Sequence, residues 1–99
     1  MAELFGYLQL AKKERNMREK IYDLIDAELE KAKSKHPFFP VNPVERCAIM
    51  AEEAGEAIQA ANDLRYDAGT KEDFQTELLH TAAMCVRILE AMEHDEKCN

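Results

Sequence analysis

The chain contains no tryptophan, and only three glycines, three prolines and three cysteines among its 99 residues. So little turn chemistry, set beside abundant Ala, Leu, Met, Glu and Lys, favours helix over sheet. Cys47, Cys85 and Cys98 are odd in number and lack the close paired spacing of zinc sites. Two of them fall in apolar helical stretches, so buried, reduced thiols are expected, as in a cytosol. Positive charge is scarce: 13 Lys and Arg against 20 Asp and Glu leave a formal charge of −7. That balance argues against neutralising many phosphates along a nucleic-acid polymer, which needs a basic surface. It leaves room for a small nucleotide that arrives with its own metal. No apolar run approaches the roughly 20 residues that span a bilayer, and MAELFGYLQLAKKER lacks the continuous apolar core of a signal peptide. A cytoplasmic protein without membrane partners is the expectation.

A single helical domain over residues 1–99 accounts for the patterning. Such a short chain buries only a modest core as a monomer, so pairing with a second copy is expected. From about Leu4 to Lys33, Met17, Ile21, Leu24, Ile25, Leu29 and Ala32 recur at helical spacing, with fraying or a separate turn before Leu8 because of Gly6. Residues 34–43 form a stiff Pro-rich connector, His36-Pro37-Phe38-Phe39-Pro40-Val41-Asn42-Pro43. Its Phe38 and Phe39 are read as covering the end of the core, with base stacking as the alternative. Asn42 reads as an N-cap, Pro43 as the first helical residue and Glu45 as the acid of a capping-box-like start.

The second helix is expected from Pro43 to about Tyr66, burying Cys47, Met50, Ala51, Ala54, Ala57, Ile58, Ala61 and Leu64, with Gly69 just past its end. The third begins after Thr70, which caps with Asp73, and buries Phe74, Leu78, Ala82, Cys85, Leu89 and Met92. The tail, residues 94–99, is expected to fray.

Two acidic clusters sit at matched spacing in these helices. AEEAGEAIQAAND carries Glu52, Glu53 and Glu56, and TELLHTAAMCVRIL carries Glu77 and His80. Residues three apart share a helical face, so each segment offers a pair of metal ligands. In an antiparallel hairpin Glu53 faces His80 and Glu56 faces Glu77. These residues stand on the shoulder of each apolar stripe, where acids lose hydration and need compensation. Ala57, Ala60, Thr81 and Met84 allow the backbones to approach closely. A divalent metal between the helices resolves the repulsion, and a metal held by carboxylates is a device for handling phosphates. Glu52 points further toward solvent, as a base beyond the ligand set or an ordinary surface acid.

The same register brings Arg46, two turns before Glu53, level with Arg87, two turns after His80, about 10 Å from the metal cluster. Facing guanidinium groups could hold a triphosphate tail. Pairing of each with a neighbouring acid, such as Glu90, is the alternative.

Glu52-Glu53-Ala54-Gly55-Glu56 followed by Glu77-Leu78-Leu79-His80 resembles the EExxE…ExxD signature of the MazG-like, all-α nucleoside triphosphate pyrophosphohydrolases. The resemblance runs from about Lys35 to Met92, and ELLHTAAMCVRILE is similar to the second metal helix of small MazG-like proteins. It implies a homodimer or larger homo-oligomer assembled as a helical bundle, with magnesium positioning a (deoxy)nucleoside triphosphate for hydrolysis to monophosphate and pyrophosphate. Carried over by residue, it makes Glu53, Glu56 and Glu77 metal ligands, with Glu52 as the leading acid and Glu52 and Glu53 as catalytic residues. His80 stands where the family pattern has Asp. An imidazole there suits manganese, iron or zinc better than magnesium, so Mn2+ joins Mg2+ as an expected cofactor. Two other readings remain open. Glu77-x-x-His80 is also the helical motif of di-metal carboxylate four-helix bundles, and a non-catalytic helical interaction protein would share the fold.

Overall fold

The computed structural model describes residues 2–98, with the side chains of all of these but residues 2, 5, 7, 11–15, 97 and 98. The described residues form three helices and no strand: α1, Ala2–Lys35; α2, Pro43–Arg65; and α3, Lys71–Cys98. α3 is the middle element, packing against both α1 and α2. Partner numbers fall along α3 as they rise along α2, from Arg46–Asp95 to Glu53–His80, so α2 and α3 form the expected antiparallel hairpin. Glu28–His80 and Lys33–Glu90 rise together, so α1 runs in the same sense as α3.

Local chemistry sets most of the boundaries. Asn42 Oδ1 accepts from the backbone N–H groups of Val44 and Glu45 at 2.8 and 3.3 Å, with Pro43 opening α2. The Asp73 N–H donates to Thr70 Oγ1 at 3.0 Å at the start of α3. Gly69 does not act as the left-handed terminator of α2. Asp67 takes that conformation, at φ 58°, which Asp tolerates better than most residues. Gly69 is required by proximity instead: a Cβ there would lie 2.8 Å from Asp63 Cβ.

Both outer ends are more regular than the sequence predicts. α1 continues through Gly6 to Ala2, because one glycine costs only about 1 kcal/mol within a long helix. α3 continues through His94-Asp95-Glu96 to Cys98 instead of fraying, and Asp95 is anchored to Arg46 Nη2 at 2.9 Å. Asn99 lies outside the described residues.

The connector, residues 36–42, is tied down by two arginines. Arg87 Nη2 donates to His36 O at 2.7 Å, and Arg46 Nε donates to Pro40 O. The Phe39 ring lies near both guanidinium groups, with its centroid 4.4 Å from Arg87 Cζ and 5.6 Å from Arg46 Cζ. Phe39 thus caps the hairpin's open end as expected. Phe38, 93% exposed, does not cover the core. Arg87→Ala would remove a charge-assisted bond to the His36 carbonyl and the cation–π contact with Phe39 from a buried side chain, so a loss of about 2–4 kcal/mol in stability is expected in urea melts.

Core burial is where sequence and structure differ most. Leu29, Ala83 and Met84 form the centre, with Ile25, Ala32, Ile49, Met50 and Val86 packed around them. The inward stripe of α3 is His80, Ala83, Met84 and Arg87, rotated from the predicted Phe74, Leu78, Ala82, Cys85, Leu89 and Met92. Of that predicted set Leu78, Leu89 and Met92 are exposed, as are Ile58 and Ala51 on α2 and Met17, Ile21 and Leu24 on α1. Cys47 and Cys85 are free and exposed, which corrects the expectation of buried thiols; the Cys98 side chain lies outside those described. Both α2 and α3 carry two faces with apolar residues, and the protomer covers only the one that also bears charge.

Candidate metal centre

The covered seam of the hairpin is where the acids converge. Glu53 comes from the middle of α2, and Glu77 and His80 from one turn of α3, with the small residues Ala57 and Ala83 buried beside them. One ligand atom from each of Glu53, Glu77 and His80 lies within 4.8 Å of the others. His80 Nδ1 stands 3.7 Å from Glu53 Oε2 and 3.6 Å from Glu77 Oε2. Those two carboxylate oxygens are buried and have no hydrogen-bond partner among the described residues. An orphaned buried anion is costly. Two of them facing an imidazole nitrogen form a donor set suited to a divalent transition metal or magnesium.

The electrostatics carry the same strain. Burial is the main cause holding the Glu53 carboxyl above the ordinary carboxylate range, reinforced by the Glu56 and Glu77 carboxylates and opposed by His80. Glu77 is also raised, first by burial and then by the neighbouring Glu56 carboxyl, again opposed by His80. A folded-state pKa raised above the unfolded value means the native state holds more protons in the intervening window. The stability is fully present below the ordinary carboxylate pKa and is lost as pH rises through the raised values. The melting temperature of metal-free protein is therefore expected to fall as pH rises above the ordinary carboxylate range. Saturating magnesium or manganese should flatten that fall, and Glu53→Gln/Glu77→Gln should remove it.

The other expected residues take distinct places. Glu56 adjoins both Glu53 and Glu77 electrostatically but is exposed and outside the close group. Glu52 is exposed next to Glu53. Arg46 and Arg87 meet at one level, around Phe39, yet they are 5% and 7% exposed and bonded to connector carbonyls and, for Arg46, to Asp95. Glu90, considered as an arginine partner, pairs with Lys33 at 3.5 Å instead.

The sequence reading missed Glu28. Its Oε2 lies 3.0 Å from His80 Nε2, on the far side of the ring from Glu53 and Glu77. With Nε2–H donating to Glu28, Nδ1 would be free to turn its lone pair to a metal shared with Glu53 and Glu77. A carboxylate behind a ligating histidine is how metal sites fix imidazole orientation. The signal was available: Glu28 interrupts the apolar series Ile21, Leu24, Ile25, Ala32 at a helical position the pattern would fill with a hydrophobe.

Comparison with protein-family models, with curated proteins and with solved structures returned no significant match.

Proposed function

We propose that this chain is a divalent-metal-dependent nucleoside triphosphate pyrophosphohydrolase of the MazG-like type, releasing nucleoside monophosphate and pyrophosphate from (deoxy)nucleotides. The observation that carries the reading is the pair of buried, unpartnered oxygens, Glu53 Oε2 and Glu77 Oε2, facing His80. Bound there, Mg2+ or Mn2+ would neutralise phosphoryl oxygens and acidify a water. Glu53, Glu77 and His80 hold the ion, Glu56 reaches in from the exposed edge, and Glu28 orients the imidazole. Glu52, exposed beside Glu53, accepts the proton of the attacking water. The test is a nucleotide screen with magnesium and then manganese, reading phosphate before and after inorganic pyrophosphatase is added. Signal only after that addition supports the reaction, whereas orthophosphate as the primary product overturns it.

A second reading has its own observation. Glu28 from α1, Glu53 from α2 and Glu77-x-x-His80 from α3 supply part of the carboxylate and histidine set of a di-metal helical bundle. Ferrous-iron loading with oxygen uptake, and no pyrophosphate release from any nucleotide, would favour it.

The active form in this proposal is a homodimer or larger homo-oligomer. Leu89 and Ile58, 64% and 65% exposed, lie on helix faces whose spacing is that of core, and the exposed apolar residues of α1 add to them. Light scattering is expected to give at least twice the chain mass of 11.3 kDa. Leu89→Glu/Met92→Lys should lower that mass to the monomer's.

A further inference from the structure

The cations expected to hold a triphosphate, Arg46 and Arg87, are engaged with Pro40 O, His36 O, Asp95 and the Phe39 ring. Drawing them onto a phosphate would release the connector. A polyphosphate extending from the Glu53–Glu77–His80 cluster therefore needs other partners.

The cluster opens into a groove of about 200 Å³ between α1 and the hairpin. Glu28, Glu53 and His80 line it, together with Lys31, Lys35 and His36 from α1 and the residue after it. Lys31 is three residues beyond Glu28 and Lys35 a further four, so the three share a face of α1. The two lysines are separated by about 6 Å along the helix axis, near enough for both flexible side chains to reach one pyrophosphate group. Lys31 Nζ lies 3.2 Å from Glu28 Oε1, but the lysine side chain is 65% exposed, and such a pair is worth little. Lys35 has no carboxylate partner among the described residues. The groove thus places carboxylates that need a cation beside one ammonium group without a carboxylate partner, that of Lys35, and a second, that of Lys31, held only by an exposed pair with Glu28. A metal-bound polyphosphate satisfies both. The volume suits a pyrophosphate group without its nucleoside, since sites that enclose drug-sized ligands start at about 300 Å³.

We infer that Lys31 and Lys35 form the polyphosphate subsite, holding the two outer phosphates that leave together as pyrophosphate. This assignment rests on the metal-dependent reading of the Glu53–Glu77–His80 cluster. It moves phosphate binding from the hairpin's buried arginines to α1, and it leaves base and sugar outside the groove. Lys31 and Lys35 then act on charge that builds on the leaving group as its bond to the α-phosphorus breaks.

The test is calorimetric titration of intact protein with inorganic pyrophosphate in the presence of magnesium, alongside thermal shifts with magnesium or manganese alone. Lys31→Ala and Lys35→Ala are each expected to weaken pyrophosphate binding about tenfold, the size of a lost charge-assisted bond. The metal-induced shift should stay intact in both, and Lys35→Arg should retain binding. Both positions are exposed, so the variants should fold. A Lys31→Ala/Lys35→Ala protein that binds pyrophosphate like wild type, or a wild type that binds none with metal present, overturns the subsite. Absence of any metal-induced shift in wild type sinks the reading of the cluster instead. Lysine-dependent pyrophosphate binding in that circumstance would retain the subsite without the metal.

Discussion

Glu77→Gln is expected to lose metal binding and nucleotide turnover together while leaving the metal-free protein as stable as wild type or more so. The two halves of that result have one cause. Glu77 Oε2 is buried without a partner, and its carboxyl is held above the ordinary range by burial and by Glu56. An amide of the same shape carries no charge to desolvate, so the metal-free fold is relieved of a penalty. The same exchange removes an anionic ligand. Loss of an outer partner alone costs about 10–100-fold in metal affinity, so loss of Glu77 should exceed that. Thermal melts with and without manganese, read beside a pyrophosphate assay, separate the two effects. A Glu77→Gln protein that melts lower than wild type without metal, and keeps its metal shift, would make Glu77 a structural acid and remove the centre.

The parts legible in the sequence were those governed by local chemistry. Asn42-Pro43 and Thr70 with Asp73 start helices through bonds to their own neighbours, and three prolines in seven residues stop one. The reversed order of Glu53/Glu56 and Glu77/His80 also sufficed to align the hairpin, because antiparallel register couples any two pairs. The core was not legible in the same way. Cys85, Leu89 and Met92 satisfy helical periodicity as well as Ala83, Met84 and Val86 do, and a period alone cannot say which face meets α2. Shape decides it: Ala57 and Ala83 permit the close approach on which Glu53 and His80 meet, and the bulkier face is left for another surface. The arginines illustrate a second limit. Register predicted that Arg46 and Arg87 would meet, but not that Phe39 would stand near both, since the path of a connector depends on carbonyls it can offer. Glu28 stands out in the pattern of α1, but its partner was hidden for a similar reason. Nothing local links α1 to α3, so its meeting with His80 appears only in three dimensions.

His80 and Glu28 should behave as a unit, and the order of effects among their variants tests it. His80→Ala removes a ligand nitrogen and is expected to lower manganese affinity and turnover by at least about 10–100-fold, the range that follows loss of an outer partner. Glu28→Ala leaves all three ligand residues in place but releases the ring from its 3.0 Å anchor, so a loss within that range is expected, smaller than for His80→Ala. The double variant should be no worse than His80→Ala, because Glu28 acts on the site only through the imidazole. Aspartate at position 80 sharpens the case. It matches the family pattern and its oxygens suit magnesium better than a nitrogen does, yet beside Glu28 it would set a new carboxylate against an existing one. His80→Asp alone is therefore expected to recover little, whereas His80→Asp with Glu28→Gln should bind magnesium and shift the preference away from manganese. Equal metal affinity and turnover in wild type and His80→Ala would make the histidine a bystander, and Glu53, Glu56 and Glu77 would then have to hold the ion alone.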